Sequence, residues 1–187
     1  SSSATGSAGI TIIDASPLIF DVDVAPPANG GMVTTSAGIA ISRSSPLAAR
    51  PNPRIAGQNT TTRTTIVAGA ATTNSLGIIV SDANPEIEFV NVRAGTVAGA
   101  LSVSSAIQGN SAAGMTIRTS SAYAGVSQGG LCVGIGNTGD ASGITISEVA
   151  LCSTVGLASR SAIRSTSRWC TVASSMIAFV FSRYAAR

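Results

Sequence analysis

The sequence predicts an all-β protein, a two-sheet β-sandwich of jelly-roll type with long Pro/Gly-rich loops and a flexible N-terminal segment. Three observations point there. Short β-branched runs alternate with Gly, Ser, Asn and Pro punctuation. No long helical periodicity interrupts them. About ten strands at this spacing fit one domain of the size given by 187 residues. No fixed-period repeat is visible, which disfavours a solenoid or propeller.

Residues 1–187 read as a single β domain, in which residues 1–9 (SSSATGSAG), small and polar, are a flexible N-terminal segment. Strands follow at Ile10–Ile13, Leu18–Val24, Gly38–Ser42, Thr64–Ala68, Gly77–Val80, Ile87–Arg93, Val97–Ser104, Met115–Thr119, Leu131–Ile135, Ile144–Leu151 and Val172–Phe181. Each is a run that a pleated, half-buried surface accommodates. In Ile144-Thr145-Ile146-Ser147 the isoleucines face one way and the hydroxyls the other. In Ile87–Arg93, Ile87, Phe89 and Asn91 share a face. Two connections are long. Ala25–Thr35 holds Pro26-Pro27 and Gly30-Gly31, and residues 42–62 form an extended basic loop with Pro46, Pro51 and Pro53. Proline removes ladder donors, so both read as loops or arms. Leu157–Arg168 is the best helix candidate.

Charge is scarce and blocked. Charged residues are 10% of the chain against 44% apolar and 4% aromatic, so aliphatic side chains must build the core. Residues 1–42 carry Asp14, Asp21 and Asp23 with no cation. Residues 43–63 carry Arg43, Arg50, Arg54 and Arg63 with no acid. Residues 149–187 carry Arg160, Arg164, Arg168, Arg183 and Arg187, again with no acid. Such blocks pair within a subunit, between subunits or with a polyanion.

Every cation is Arg, and His is absent. Ser-His-Asp hydrolysis, His-dependent zinc sites, Schiff-base chemistry and Lys-dependent phosphate loops are therefore excluded, and the chain reads as no enzyme, with no cofactor. Gly134–Gly139 spells GxGxxG, but a strand-like run follows instead of the helix that pyrophosphate binding needs. A hairpin loop is the better reading. Cys132, Cys152 and Cys170 are odd in number and widely spaced, as suits small buried residues; whether any pair forms a disulfide stays open. Asp21 and Asp23, two apart, share a strand face where they are either solvated, Arg-paired or a calcium site. Nothing reads as a membrane span, since the apolar run Trp169–Phe181 is short and interrupted by hydroxyls.

Arg160, Arg164 and Arg168 recur every four residues, one basic stripe if helical. With Arg183 and Arg187 they form the first candidate for contact with RNA or DNA; the 43–63 arginines are the second.

In general strand-and-loop layout and in its Ser/Thr/Ala/Gly/Val-rich composition the chain resembles single jelly-roll coat proteins of small icosahedral viruses. The resemblance implies a self-assembling capsid or virion subunit whose partners are copies of itself. Many such coats have a basic N-terminal arm, whereas residues 1–42 here are acidic, so genome contact would fall to the C-terminal Arg. Two other expectations fit the composition: an extracellular or fibre-attached β-sandwich module binding carbohydrate, with Gly143–Leu151 as a closing strand, and a filament subunit donating residues 1–24 by strand exchange.

Overall fold

The computed structural model describes residues 6–25, 33–99, 101–127, 131–139, 142–152 and 164–169. Strands follow one another in coils. The first coil holds β1 (Gly6–Ile13) and β2 (Leu18–Phe20). The second holds β3 (Val33–Ser42), β4 (Arg54–Ala56) and β5 (Thr64–Val67), and the third β6 (Ala71–Ser81), β7 (Glu86–Glu88) and β8 (Val90–Arg93). The fourth holds β9 (Val103–Asn110), β10 (Thr116–Arg118) and β11 (Ser121–Tyr123). The fifth holds β12 (Leu131–Thr138) and β13 (Thr145–Cys152), and β14 (Arg164–Trp169) follows.

All pairings between these strands are parallel. One sheet stacks β1-β3-β6-β9-β12. The other stacks β2-β4-β7-β10-β13; the second half of β13 pairs with β11, which continues the stack to β8 and β5, and β14 pairs with β13. Equivalent strands of successive coils lie over one another, so the chain is a β-solenoid of about five turns. This overturns the jelly-roll sandwich. Sandwich strands close on their sequence neighbours through antiparallel hairpins, whereas here neighbours in sequence lie on different faces. Gly6 faces Thr35 and Asn74 faces Val103, a step of 29 residues, but the intervening step from Thr35 to Asn74 is 39. That insertion, in the loops around β4, hides the repeat from a search for one fixed period.

The register aligns like with like. Ile10, Ile39, Ile78, Ile107 and Ile135 form one ladder. Ile19, Ile55, Ile87, Ile117 and Ile146 form a second on the facing sheet. The middle members Ile39, Ile78, Ile107 and Ile55 are fully buried, while Ile10 and Ile135 at the ends of the first ladder are only partly covered. Each buried isoleucine contributes about 2–3 kcal/mol of burial, available only when its neighbours above and below are in register.

Corners repeat too. Asp14, Asp82, Ser111 and Gly139 follow the ends of β1, β6, β9 and β12, all with positive φ. Asp21, Phe89, Thr119 and Glu148 take the same conformation at the second bend. Outside Gly, Asn and Asp this conformation is uncommon, and the stacked coils impose it. At Phe89 it splits the expected strand Ile87–Arg93 into β7 and β8. The buried set is therefore Ile87, Val90 and Val92, and the shared face of Ile87, Phe89 and Asn91 does not form.

A third corner is clasped by serine. Ser36, Ser75 and Ser104 stack in register, and all three are buried. The Ser75 hydroxyl donates to the Gly69 carbonyl (2.8 Å) and accepts from the Gly95 amide (2.7 Å). Ser104 repeats the clasp one coil on, with Gly95 (2.9 Å) and Gly125 (2.8 Å). A Cβ on Gly95 or Gly125 would sit on the carbonyl of the glycine one coil earlier, so this corner requires glycine.

Other expectations are also revised. Gly6–Gly9 belong to β1 rather than to a flexible lead-in, Val33–Thr35 are strand, and β4 interrupts the 42–62 loop. Gly134–Thr138 lie in parallel strand β12, so no hairpin forms there, and β13 is an interior strand rather than the closing strand of a sandwich. Arg164–Trp169 are strand, which removes the helix proposed for residues 157–168 over that stretch. Pro26-Pro27, Gly30-Gly31 and Val172–Phe181 lie outside the described residues.

Replacing Ser75 by Ala leaves the Gly95 amide and Gly69 carbonyl without this partner. The expected cost is about 1–3 kcal/mol, read as a lower urea midpoint with an unchanged slope.

Candidate interaction surface

The first coil differs from those above it. Its strands β1 and β2 begin their sheets, so each has a strand neighbour on one side only among the described residues. Such edges present unpaired N–H and C=O groups.

Its outward side chains differ as well. Leu18 begins a row that continues as Arg54, Glu86, Thr116 and Thr145. Phe20 begins one that continues as Ala56, Glu88, Arg118 and Ser147. Ile13 begins the row Ser42, Ser81, Asn110 and Thr138. In later coils these positions are charged, hydroxylated or small; in the first they are large and apolar. Ile13 is 55%, Leu18 62%, Phe20 50% and Val22 39% exposed. With Ile10, Ile12 and Ile19 from the solenoid interior they surround an open depression of about 610 Å³. Clustered exposed side chains of this kind mark contact surfaces.

Three carboxylates edge this coil. Asp14 accepts from the Ser44 amide (2.8 Å) and also from the Ser44 hydroxyl. Asp21 accepts from the Gln58 amide group, and Asp23 from the Thr65 amide (3.0 Å). All four donors, from Ser44, Gln58 and Thr65, belong to the second coil and are neutral. Hydrogen bonds from the Ser44 hydroxyl and amide, helped by nearby Arg43, hold the Asp14 carboxyl below its usual value against a small opposing effect of burial. The first coil is thus apolar within and carries carboxylates at its rim. Asp21 and Asp23 do not share a strand face: β2 stops at Phe20 and Asp21 is the left-handed bend. Among the described residues no three of His, Cys, Asp and Glu gather as a metal-binding group.

The arginines of 43–63 are spent inside the molecule. Arg43 and Arg50 meet Asp82 at 3.3 and 3.7 Å, Arg54 meets Glu88 at 3.2 Å, and Arg63 donates to Ser121 (2.8 Å). They tie the second coil to the third and, through Arg63, to the fourth. Arg93 lies over the Tyr123 ring, 5.3 Å from its centre. Of the C-terminal set, Arg164 and Arg168 are in β14, in register with Thr145 and Ala150. Arg160, Arg183 and Arg187 lie outside the described residues, as does Cys170. Cys132 is buried at the Ser36–Ser75–Ser104 row.

The apolar cluster is not visible in the sequence because Leu18–Val24 reads as one strand. The signal that exposes it is positional: only alignment with Arg54 and Glu86 shows that Leu18 is an outward residue. No protein-family model matches the chain, and neither does any curated protein or solved structure.

Because the folded-state pKa of Asp14 is depressed, its contribution is complete above the unfolded value of about 3.9 and is lost as pH falls through the lower folded value. Hydrogen exchange at the Ser44 amide is therefore expected to accelerate in that acid window beyond the intrinsic pH effect, and to show no such step in Asp14→Asn.

Proposed function

We propose that the chain is a self-assembling structural protein that docks through its first coil. The observation that carries this reading is the cluster of large apolar outward residues in that coil: Ile13, Leu18 and Phe20 begin rows whose later members lack them, whereas the other exposed large apolar residues, Leu47, Leu101 and Val126, lie singly outside the strands. The sparse charge and the absence of His and Lys support a structural role over a catalytic one.

A capsid or virion subunit is the narrower form of this proposal. Its support is composition, since the jelly-roll layout that suggested it does not hold. A filament is the other form. Gly6–Ile13 pair with β3 of their own chain, so whole-coil docking is favoured over donation of residues 1–24.

The test is Leu18→Glu combined with Phe20→Glu, followed by sedimentation velocity. Both side chains are at least half exposed, so thermal stability is expected to stay within about 1 kcal/mol of the parent. The parent is expected to form larger species and the double variant to sediment as a monomer. A parent that is monomeric at every concentration would overturn the proposal.

A further inference from the structure

We infer that Asn59 is an acceptor site for an N-linked oligosaccharide, displayed on the loop between β4 and β5 and modified when the chain passes a compartment that holds the transferase. The inference stands apart from the self-assembly reading and concerns a covalent modification.

Two independent observations carry it. The first lies in the sequence. Asn59-Thr60-Thr61 spells the acceptor triplet, Asn followed two positions on by Ser or Thr with no proline between. None of the other seven asparagines has Ser or Thr two positions on.

The second is structural. Residues 57–63 stand between β4 and β5, where the next coil has Phe89 alone between β7 and β8 and the coil after it Thr119 and Ser120 between β10 and β11. A bulky group on this longer loop displaces no strand of the stack. Gln58, Asn59, Thr60, Thr61 and Thr62 are all exposed. The loop is nevertheless held in shape. The Gln58 and Asn59 amides donate to the Thr62 carbonyl (3.0 and 3.2 Å), and Arg63 donates to the Thr60 carbonyl (3.0 Å) and to Ser121 (2.8 Å). The Asn59 side chain is oriented through its oxygen, which accepts from the Thr61 amide (2.8 Å) and the Thr62 amide (2.9 Å). Its nitrogen, Nδ2, and the Thr61 hydroxyl take part in no hydrogen bond among the described residues. The two groups that define the triplet to a transferase therefore have no competing partner there.

In the transfer, Nδ2 attacks the anomeric carbon of an oligosaccharide carried on a polyprenyl diphosphate. The carbon–nitrogen bond forms as the carbon–oxygen bond to the diphosphate breaks. The diphosphate leaves with the bonding pair, and one Nδ2 proton passes to a base of the transferase. Oδ1 remains an acceptor, so both amide hydrogen bonds survive, and the bulky, hydrophilic sugar is carried on exposed loop.

The full chain, produced behind a cleavable secretory signal in a eukaryotic cell and recovered from the medium, tests this. A mass excess of one oligosaccharide is expected. Peptide N-glycosidase is expected to remove it and to leave the Asn59→Asp conversion in the tryptic peptide Ile55–Arg63. Asn59→Gln and Thr61→Ala are each expected to lose the excess completely, and Thr60→Ala, which preserves the triplet, to keep it. All three positions are exposed, and circular dichroism checks that each variant is folded. Recovered parent without the excess overturns the assignment, as does an excess that persists in Asn59→Gln.

Discussion

The two isoleucine ladders are the interaction on which the rest of the molecule depends. Five isoleucines stack on one sheet and five on the facing sheet, each in register with the same residue one coil away. A β-branched side chain has few χ1 choices, so identical residues in stacked strands adopt matching rotamers and interlock without voids. A slip of one residue would turn each ladder outward and put hydroxyls into the core. The ladders therefore set the register, and the register sets everything that sits outside them.

Three consequences follow at the corners. The backbone turns at left-handed residues, which the stack forces even on Phe89, Thr119 and Glu148. The serine row fastens the opposite corner through the glycines of successive coils. The longer loops of the second coil are held down by Arg43, Arg50, Arg54 and Arg63, which find partners at Asp82, Glu88 and Ser121. The middle of the solenoid is thereby largely neutralised. The acids of the first coil, Asp14, Asp21 and Asp23, take hydrogen bonds from Ser44, Gln58 and Thr65 of the second.

Much of the local structure is legible in the residues. Ile10–Ile13, Thr64–Ala68, Gly77–Val80 and Ile144–Leu151 all mark strands, and the alternation at Ile144–Ser147 correctly assigns the buried isoleucines. The architecture is not legible for a reason visible at Thr35 and Asn74. Parallel pairing is non-local, and a ten-residue excess in that one step destroys the constant period by which coils announce themselves. Phe89 fails for a related reason: no local preference predicts a left-handed phenylalanine, because the strands above and below it impose the bend. The exposure of Leu18 and Phe20 is illegible too, since they carry the same alternation as a buried strand, and whether they are covered depends on a neighbour that no local pattern encodes.

The sequence by itself determined that the chain is built of short strands with an aliphatic core, that it lacks the side chains of His- and Lys-dependent catalysis, and that its charges fall in opposed blocks. These are properties of residues and near neighbours, and they need no fold to be read. Only the tertiary structure decided that the strands stack in parallel coils, that the basic loop is bound to its own molecule, and that Ile13, Leu18 and Phe20 gather as outward residues on the first coil. Those outcomes depend on which residues 26–39 positions apart come to lie side by side, and burial and charge pairing are assigned by that contact rather than by composition.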